Sequence, residues 1–485
     1  MNILFIYSID DILRPDKPLR TSAQMQFGIS YISSVLKEAG HSTRLLVLSR
    51  LLGRNNRAVI DRHIKEFNPR MACFTAVSTE YPFIKSVARH IREKYPGIFL
   101  LIGGPHVSLN PEGVLEDGFD ALCIGEGEYP AREIAEQIEK CKEPSGIANL
   151  WIKKDNMVEK NAPRHFHRDI DALPLPDRDM WKEWVGGAGG EEPILLGRGC
   201  PFECTYCCNH ALKKVAPGQY VRFRLTGDIL REIKSVAAKY PVVKDFYLEV
   251  ETIGADMAWA LDLCGKLAEF NYSLKKPLAF GVNLRIAPNL DYDALFSAFE
   301  KSNFKSVNIG VESGSDRVRR EILNRHYSNK DIADVVRLAR KHKLKVNFYN
   351  LIGVPGETAE DFRETIKINR ECLPDKAYAH IFYPYPGTRL YDVCSEKRLL
   401  PGSADTKLER CTAVLDLPGF SKKQIRNGFI WFDYDVYKGK RPMHRILAGV
   451  LVSKCRSNPI LHRIYRKFTY SALCQCMRTA LGRTA

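Results

Sequence analysis

The chain has 485 residues, enough for about three domains of ordinary size. Hydrophobic residues make up 45% and charged residues 27% of it, which excludes collagen-like, low-complexity and intrinsically disordered proteins. The net charge is +16, and it is unevenly distributed. Residues 421–485 hold fourteen Lys and Arg against two acidic residues and carry +12, whereas the first 420 residues carry only +4. The body of the protein is therefore nearly neutral, and the tail is basic.

The N-terminal sequence and the cysteine content predict a cytoplasmic protein with reduced thiols. Met1-Asn-Ile-Leu-Phe-Ile-Tyr-Ser lacks a basic region and is followed too soon by Asp10-Asp11 to be a signal peptide. The best apolar run, 446–452, is far below the ~18 residues that span a bilayer. In such a protein, we expect clusters among the fourteen cysteines to be metal or redox sites rather than disulfides.

Residues 1–145 alternate short apolar runs with amphipathic stretches, which predicts βαβ units in a Rossmann-like, doubly wound parallel sheet. Strands are predicted at 3–7, 43–48, 71–77, 99–102 and 121–124, and helices at 28–39, 58–67 and 83–95. Ligands of such sheets bind at the carboxyl ends of the strands. Two glycine-rich turns follow predicted strands there, Gly103-Gly104-Pro105-His106 and Gly125-Glu126-Gly127-Glu128. They let a flat or phosphate-bearing ligand approach the backbone, although tight turns alone give the same pattern.

Residues 146–190 are predicted to be a linker, because they contain Leu173-Pro-Leu-Pro-Asp-Arg-Asp and Gly186-Gly-Ala-Gly-Gly. Residues 191–410 then repeat a strand–helix pattern six times. The strand-like runs are at 194–196, 245–248, 278–282, 306–309, 346–351 and 378–382. Helical patterns between them include 227–240, 258–270, 330–342 and 359–372. Six such repeats predict a partial (β/α)6 barrel with its chemistry at the C-terminal ends of the strands.

The strongest chemical signal follows the first strand of the second series. Gly199-Cys200-Pro-Phe-Glu-Cys204-Thr-Tyr206-Cys207 places three thiols at the spacing C-x3-C-x2-C. Three thiolates can hold three corners of a 4Fe–4S cluster and leave one iron open to an exogenous ligand. Zinc is the alternative, but a structural zinc site takes four protein ligands. Cys208 and His210 are the nearby candidates for a fourth ligand, and Cys208 adjoins Cys207 too closely for easy chelation of the same ion.

The cysteine loop resembles the signature of the radical S-adenosylmethionine (SAM) superfamily. The resemblance implies that Cys200, Cys204 and Cys207 bind the cluster and act in catalysis, and that Tyr206 lies among the cofactor-binding residues. It also implies that SAM chelates the open iron and is split to a 5′-deoxyadenosyl radical.

Later strand ends resemble the SAM-contacting positions of the same family. Tyr247-Leu-Glu249-Val-Glu251 resembles the acidic motif that receives the methionyl ammonium, and Asn283-Leu-Arg285 the arginine that pairs with the methionyl carboxylate. Gly310-Val-Glu312-Ser-Gly resembles the motif near the ribose, and Ile352-Gly-Val-Pro-Gly-Glu-Thr the turn behind the adenine. Singly, such residues are more often solvated carboxylates, helix caps or surface ion pairs. Their order behind the cysteine loop makes them informative.

The first domain resembles the cobalamin-binding domain of class B radical SAM enzymes, and the whole resemblance covers about residues 1–400. It rests on Gln26-Phe-Gly-Ile-Ser-Tyr-Ile and on the two glycine-rich turns. It implies that cobalamin contacts Gly103, Gly104, Pro105, His106, Gly125 and Glu126. The Asp-x-His-x-x-Gly motif that elsewhere supplies a lower cobalt ligand is absent. His106 is the nearby candidate, and we expect it to support the turn rather than bind cobalt.

The resemblance implies methyl transfer from methylcobalamin to an unactivated substrate carbon, after the 5′-deoxyadenosyl radical has abstracted hydrogen. The alternative is a cobalamin-type radical SAM oxidoreductase or cyclase without net methyl transfer. A cobalamin-dependent binding or sensor module is disfavoured by the intact cluster and SAM motifs. Methylthiotransferases are disfavoured because their first domain supplies three more cluster cysteines, whereas here the cysteines of that domain lie in strand and helix patterns (Cys73, Cys123 and Cys141).

Residues 411–485 are predicted to form a basic helical region. Two helices are expected in 442–480, divided at Ser457-Asn-Pro459, and the second has an apolar face of Ile460, Leu461, Ile464, Tyr465, Phe468 and Ala472. We expect this region to dock on the barrel with a solvated charged face; peripheral contact with an anionic membrane is the alternative. Cys474 and Cys476 are expected to pack rather than bind metal. The expected partners are a small-molecule or lipid-linked substrate and a reductant such as flavodoxin or ferredoxin, with no nucleic acid.

Overall fold

A computed structural model describes residues 1–9, 17–50, 55–155, 157–186, 190–400, 406, 409–458, 460–462 and 464–465. The chain divides into two compact units. The first comprises residues 1–203, 207–251 and 385–388, and the second comprises 204–206, 252–384 and 389–485.

The first unit contains a seven-stranded sheet. Its strands are β1 (Asn2–Ile9), β2 (Ser42–Ser49), β3 (Met71–Thr75), β4 (Phe99–Gly103), β5 (Ala121–Cys123), β6 (Leu150–Lys154) and β7 (Met157–Lys160), in the order β2-β1-β3-β4-β5-β6-β7. Strands β1 to β5 are parallel, and β6 and β7 are antiparallel to their neighbours. The associated helices are α1 (Phe27–Glu38), α2 (Asn55–Phe67), α3 (Tyr81–Lys94), α4 (Pro105–Leu109) and α5 (Glu128–Glu139).

The strand order identifies a doubly wound sheet, so the Rossmann-like prediction is confirmed. Its ligand crevice is expected where the order reverses, between the ends of β1 and β3. The sheet has two more strands than predicted, because β6 and β7 lie within residues 146–190, which were predicted to be a linker. That prediction rested on prolines and glycines after residue 172, whereas the preceding stretch has a strand pattern. Leu150 and Ile152 are buried and Lys153 is exposed, as in an antiparallel strand with one solvent-exposed face.

The first unit also contains the elements that frame the cysteine motif. Strands β8 (Glu191–Leu195) and β11 (Asp245–Glu249) pair in parallel. Strands β9 (Gly197–Arg198) and β10 (Arg222–Phe223) form an antiparallel pair, called here the ribbon. The helices of this part are α6 (Asp179–Lys182), α7 (Asn209–Leu212) and α8 (Thr226–Lys239). The cysteine motif thus lies in the segment that joins the two strands of the ribbon.

The second unit contains four parallel strands, β12 (Ala279–Leu284), β13 (Phe304–Glu312), β14 (Lys345–Ile352) and β15 (Lys376–Ile381). Its helices are α9 (Met257–Tyr272), α10 (Tyr292–Lys301), α11 (Asn329–Lys341), α12 (Ala359–Cys372), α13 (Arg389–Glu396), α14 (Lys422–Tyr437) and α15 (Met443–Arg456). Capping boxes start three of them, at Ser328, Thr358 and Ser421. With β8 and β11 of the first unit, these strands make up the six strand–helix repeats predicted for a partial barrel.

The basic tail is partly described. Helix α15 is the first of the two helices predicted there, and it buries Ile446 and Val450. Phe468, Ala472, Cys474 and Cys476 lie outside the described residues. Among the helices of the described ranges, none has both the length and the apolarity that a membrane crossing requires.

The turn after β14 holds a buried carboxyl group. Glu357 Oε2 accepts hydrogen bonds from the backbone N–H groups of Gly353 and Val354, and Oε1 has no hydrogen-bond partner. Gly353 has a φ of +80°, which favours glycine in this turn. Burial raises the pKa of Glu357 to about 8, so the side chain holds a proton at neutral pH.

We expect Glu357→Gln to reduce the pH dependence of stability. Between about pH 4.5 and pH 8, the folded state holds a proton that the unfolded state has lost, so the free energy of unfolding falls as pH rises. Glutamine does not titrate and removes this contribution. Urea denaturation at several pH values in this window measures the slope. The matched control is Glu360→Gln, because Glu360 is exposed on the same helix start. A wild-type slope in E357Q would contradict the assignment.

Candidate functional site

The first unit fixes the backbone on both sides of the cysteine motif. Gly199 has a φ of +82°, and a Cβ there would lie 2.2 Å from the carbonyl oxygen of Tyr220. Only glycine therefore fits immediately before Cys200. At the other end, Asn209 Nδ2 donates to Cys207 Sγ at 3.5 Å, and Asn209 Oδ1 accepts from Tyr220 Oη at 2.6 Å. Tyr220 is thus packed against both ends of the motif.

The surroundings of Cys207 favour a thiolate. A hydrogen bond from the thiol of Cys208 lowers the pKa of Cys207 to about 7, against the opposing effect of burial. The same bond and burial raise the pKa of Cys208, which therefore keeps its proton. Because iron–sulfur clusters are held by thiolates, Cys207 has the character of a ligand and Cys208 that of its hydrogen-bond donor.

In the second unit, Arg285 lies beside Cys204. Arg285 Nη1 is 2.7 Å from the sulfur of this buried cysteine, and Nη2 donates to the carbonyl oxygen of Asn324 at 3.4 Å. The backbone N–H of Arg285 donates to Thr252 Oγ1 at 2.9 Å. Two residues that the sequence singled out for different tasks, a cluster ligand and a SAM-carboxylate partner, are therefore adjacent.

Arg325 joins two further predicted site residues. Its Nη1 lies 2.5 Å from Glu312 Oε1 and 2.9 Å from Tyr206 Oη. The Arg325 side chain is 4% exposed, and its Nε has no hydrogen-bond partner. Arg325 was not predicted from the sequence, because Leu323-Asn-Arg325-His-Tyr327 matches none of the family motifs described above. Its role is visible only once the fold places it between Tyr206 and Glu312.

An irregularity in β13 directs Glu312 toward Arg325. Glu312 has a φ of +63°, and the pairing of β13 with β14 shifts register between Gly310 and Glu312. Tyr327 Oη donates to the carbonyl oxygens of Gly310 and Val311, at 3.1 and 3.0 Å. Such irregularities often occur at functional sites, where they re-aim a side chain.

A ladder of asparagines crosses three strands of the second unit. Asn347 Nδ2 donates to Asn308 Oδ1 at 2.9 Å, and Asn308 Nδ2 donates to Asn283 Oδ1 at 3.5 Å. These residues are register partners on β14, β13 and β12. Because alternate residues of a strand share a face, Arg285 continues the polar face of Asn283 at the C-terminal end of β12. Val282 and Leu284 are buried on the opposite face.

Glu249 is the last residue of β11 in the first unit. Burial and the carboxylates of Glu191 and Glu251 raise its pKa to about 7. A cation bound beside Glu249 would relieve both the desolvation and the repulsion. The side chain therefore has the electrostatics of a residue that receives an ammonium group.

The first glycine-rich turn packs tightly against the end of β3. Gly104 has a φ of +101°, and a Cβ there would lie 2.8 Å from Thr75 Oγ1 and 2.9 Å from the carbonyl oxygen of Ala76. Pro105 begins α4 directly after it. Gly103 ends β4 beside Cys123, which a Cβ on Gly103 would touch at 3.4 Å. The backbone conformation of this turn therefore requires glycine at Gly104.

His106 is buried within this turn. Its backbone N–H donates to the carbonyl oxygen of Ala76 at 3.2 Å, and its Nδ1 lies 3.1 Å from Ser78 Oγ. Its ring centroid is 4.4 Å from that of Tyr81, and its Nε2 has no hydrogen-bond partner. Burial lowers the pKa of His106, so the ring is neutral. These contacts give His106 a role in the turn.

In the second glycine-rich turn, Gly125 has a φ of +84° and its N–H donates to Ser108 Oγ at 3.0 Å. Glu126 is paired with the ribbon. Arg198 Nη1 donates to Glu126 Oε1 at 2.8 Å, and Arg222 Nη1 donates to Oε2 at 3.0 Å. Although burial opposes it, the two guanidinium groups lower the pKa of Glu126 to about 2. The carboxylate that the resemblance assigned to cobalamin is therefore engaged within the protein.

The donor set fits an iron–sulfur cluster. Cys207 and Cys204 each have a hydrogen-bond donor, Asn209 and Arg285 respectively. Across the described ranges, every cysteine is a free thiol. Within the same ranges, no three His, Cys, Asp or Glu side chains are gathered in metal-binding geometry. Cys200 and Cys207 belong to the first unit, and Cys204 belongs to the second.

Comparison with protein families matches both parts of the chain. Residues 194–368 match the model of the radical SAM superfamily, and residues 23–135 match that of the B12-binding domain. Among similar sequences, an uncharacterized methyltransferase of Pyrococcus horikoshii is 25% identical over 82% of this chain and 84% of its own. A cytidylyl-2-hydroxyethylphosphonate methyltransferase of Streptomyces wedmorensis is 21% identical over 86% of each chain. An anaerobic magnesium-protoporphyrin IX monomethyl ester cyclase of Cereibacter sphaeroides is 22% identical over 75% of this chain and 59% of its own.

Two solved structures have the same fold. The radical SAM methyltransferase TsrM of Kitasatospora setae, with cobalamin and a 4Fe–4S cluster bound, superposes with a TM-score of 0.65. It covers 93% of this chain and 90% of its own at 16% identity. The cobalamin-dependent SAM radical enzyme OxsB superposes with a TM-score of 0.68 over 96% of this chain and 74% of its own, at 12% identity.

We expect Arg325→Gln to weaken SAM binding and to destabilise the second unit. The substitution leaves the Glu312 carboxylate without its cation, and breaking a buried pair by removing one partner costs about 3–5 kcal/mol. Equilibrium dialysis measures SAM affinity, and urea denaturation measures stability. The control is Arg320→Gln, because Arg320 forms a half-exposed pair with Asp316. Wild-type SAM affinity in R325Q would show that Arg325 does not support the site.

Proposed function

We propose that this chain, which matches the models of the radical SAM superfamily and of the B12-binding domain, transfers a methyl group to an unactivated carbon of a small-molecule or lipid-linked substrate. Its cofactors are a 4Fe–4S cluster, SAM and cobalamin. When bound, the cluster and SAM supply radical chemistry, and cobalamin carries the methyl group. The proposal is carried by the presence of both domains in one chain that aligns along most of two methyltransferases.

Each proposed role follows from the chemistry of the residue. Cys200, Cys204 and Cys207 would hold the cluster, and Arg285 beside Cys204 would pair with the methionyl carboxylate. Glu249, with a pKa near neutrality, would receive the methionyl ammonium. Glu312 and Tyr206, held by Arg325, would line the SAM site.

The cobalamin contacts are proposed at the two glycine-rich turns. Gly103, Gly104 and Gly125 lie at the C-terminal ends of parallel strands, where doubly wound sheets bind their ligands. Pro105 and His106 would shape the first turn from within. Glu126 would act through the ribbon, because its carboxylate is already paired there.

Radical chemistry without net methyl transfer is the second candidate function. The observation that favours it is the similarity to the magnesium-protoporphyrin ester cyclase. This chain covers 59% of that relative, against 84% and 86% of the two methyltransferases, so methyl transfer remains the first proposal. A pure binding or sensor module is disfavoured, because it has no need of the cysteine motif or of Arg285 beside it.

We expect the protein, anaerobically reconstituted with iron, sulfide and cobalamin and supplied with a strong one-electron reductant, SAM and candidate substrates, to form both S-adenosylhomocysteine and 5′-deoxyadenosine. Cys204→Ala removes one cluster ligand and should reduce 5′-deoxyadenosine to background. The matched control is Cys264→Ala, because Cys264 is buried in α9 and outside the motif. Chromatography with isotope-labelled SAM measures both products. Formation of 5′-deoxyadenosine alone, at saturating cobalamin and over a range of candidate substrates, would favour the second candidate function.

The proposed partners and location follow from the same chemistry. Reduction of the cluster takes single electrons, so a flavodoxin or ferredoxin is the proposed donor. The free thiols of the described residues agree with the proposed cytoplasmic location.

Helix α15 supports a proposed peripheral contact with anionic membranes. Met443, Leu447 and Leu451 lie four residues apart on one face and are 44%, 47% and 61% exposed. Residues 438–456 contain six Lys and Arg and no acidic residue. Each basic residue near an anionic surface contributes about 1 kcal/mol, and inserted apolar side chains add to this. The exposed face and the charge together therefore match an anionic bilayer surface.

We expect the full chain to sediment with vesicles of phosphatidylcholine and phosphatidylserine more than with phosphatidylcholine alone. The triple substitution of Met443, Leu447 and Leu451 by Gln should reduce sedimentation, because it removes the exposed apolar face. Val242→Gln is the control, since Val242 is 75% exposed outside the basic tail. Sedimentation that does not differ between the triple variant and the control would rule out this face as the contact.

A further inference from the structure

Two like charges face each other at the base of the cysteine motif. Arg198 and Arg222 are register partners on the antiparallel strands of the ribbon. Their side chains are 17% and 4% exposed, so water screens them poorly. Like charges directly opposite on an antiparallel pair are destabilising, and more so when they are buried. The ribbon therefore requires an anion at this position.

Glu126 supplies that anion to both arginines. Besides the contacts at 2.8 and 3.0 Å, its Oε2 accepts the backbone N–H of His167 at 2.7 Å. Glu128 Oε1 accepts from Arg198 Nη2 at 2.6 Å, so two carboxylates balance two guanidinium groups. Aromatic rings cover the arginines, Tyr31 over Arg198 and Phe166 over Arg222.

Each arginine leads to a different cluster cysteine. Arg198 precedes Cys200 by two residues, across Gly199, whose conformation leaves no room for a side chain. Arg222 follows Tyr220 by two residues, and the hydroxyl of Tyr220 holds Asn209, which donates to Cys207. One carboxylate therefore holds the strands from which both Cys200 and Cys207 are positioned.

We propose that Glu126 is a positioning residue for the iron–sulfur cluster. It acts through Arg198 and Arg222 and touches neither the cysteines nor a substrate. The inference rests on the cluster of the proposed function, but not on methyl transfer. It differs from the role that the resemblance implied for Glu126, which was a contact with cobalamin.

The position of Glu126 in the chain has a second consequence. Glu126 directly follows Gly125, for which a cobalamin contact is proposed, so one turn reaches toward both cofactors. Coupling between two binding sites is reciprocal by thermodynamic necessity. Because Gly125 and Glu126 share this turn, we expect cluster loading to change cobalamin affinity and the change to depend on Glu126.

The test compares cluster loading in anaerobically reconstituted full-length variants. Glu126→Gln should lower the iron and sulfide bound per chain and alter the electron paramagnetic resonance spectrum of the reduced cluster. The double variant Glu126→Gln/Arg222→Gln should recover part of the loss, because it removes one uncompensated guanidinium. Urea denaturation of the same variants separates positioning from a general loss of stability. Cluster loss in E126Q without a comparable loss of stability supports the positioning role, whereas cluster loss that only parallels the loss of stability would overturn it. Glu133→Gln is the matched control, since Glu133 lies on α5, the helix that follows this turn, and pairs with Arg164 at 2.9 Å.

Cobalamin binding provides an independent measurement. Equilibrium dialysis of hydroxocobalamin against apo and cluster-loaded protein gives a ratio of affinities, which should differ from one in the wild type and approach one in E126Q. Cluster content and spectrum in E126Q equal to wild type would overturn the positioning role. Equal cobalamin affinities in the two wild-type forms would overturn the coupling. A wild-type protein that loads no cluster would overturn the cluster assignment itself, and with it this inference.

Discussion

A buried charge must be compensated where it lies, and the surroundings of the cysteine motif depend on this constraint. Removing one partner from a buried ion pair costs about 3–5 kcal/mol. Arg198 and Arg222 can lie at the base of the motif because Glu126 and Glu128 lie there too. In the second unit, Arg325 lies beside Tyr206 because Glu312 compensates it. The backbone around the motif is thus held by charge pairs that include none of its three cysteines.

The same constraint distinguishes a carboxylate whose charge is compensated within the protein from one whose charge is not. The pKa of Glu126 is about 2, because two guanidinium groups surround its carboxylate. The pKa of Glu249 is about 7, because burial and neighbouring carboxylates act on it without a compensating cation of similar strength. Glu249 ends a strand of the first unit and Glu126 follows one, and both were predicted to bind cofactors. Only Glu249 has the electrostatics of a group that gains by binding a cation.

Sequence reasoning was reliable where the signal was local. The buried strands and long amphipathic helices were found because their periodicity lies within a few residues, and the cysteine motif because three thiols stand close together. Strands β6 and β7 were not predicted, because the prolines and glycines that follow them led to the prediction of a linker over the whole segment 146–190.

The contacts that hold the site could not be found in this way. Glu126 meets Arg198 and Arg222 at separations of 72 and 96 residues, and Arg325 meets Tyr206 at 119. No pattern within a window predicts which distant arginine will compensate a given carboxylate. The glycines around Glu126 indicated a ligand-binding turn. They gave no indication that its carboxylate pairs with the two arginines of the ribbon.

The uneven charge of the sequence follows from the same pairing. Buried arginines in the body form ion pairs within the protein. Arg178 and Arg224, for example, both pair with the carboxylate of Glu232. A buried cation of this kind requires an anion, so the body stays near neutrality however many arginines it contains. Basic residues of α15 such as Arg445 and Lys454 are exposed, and residues 438–456 contain no acid to match them. The positive charge of this segment is therefore not compensated within it, whereas that of the buried arginines in the body is.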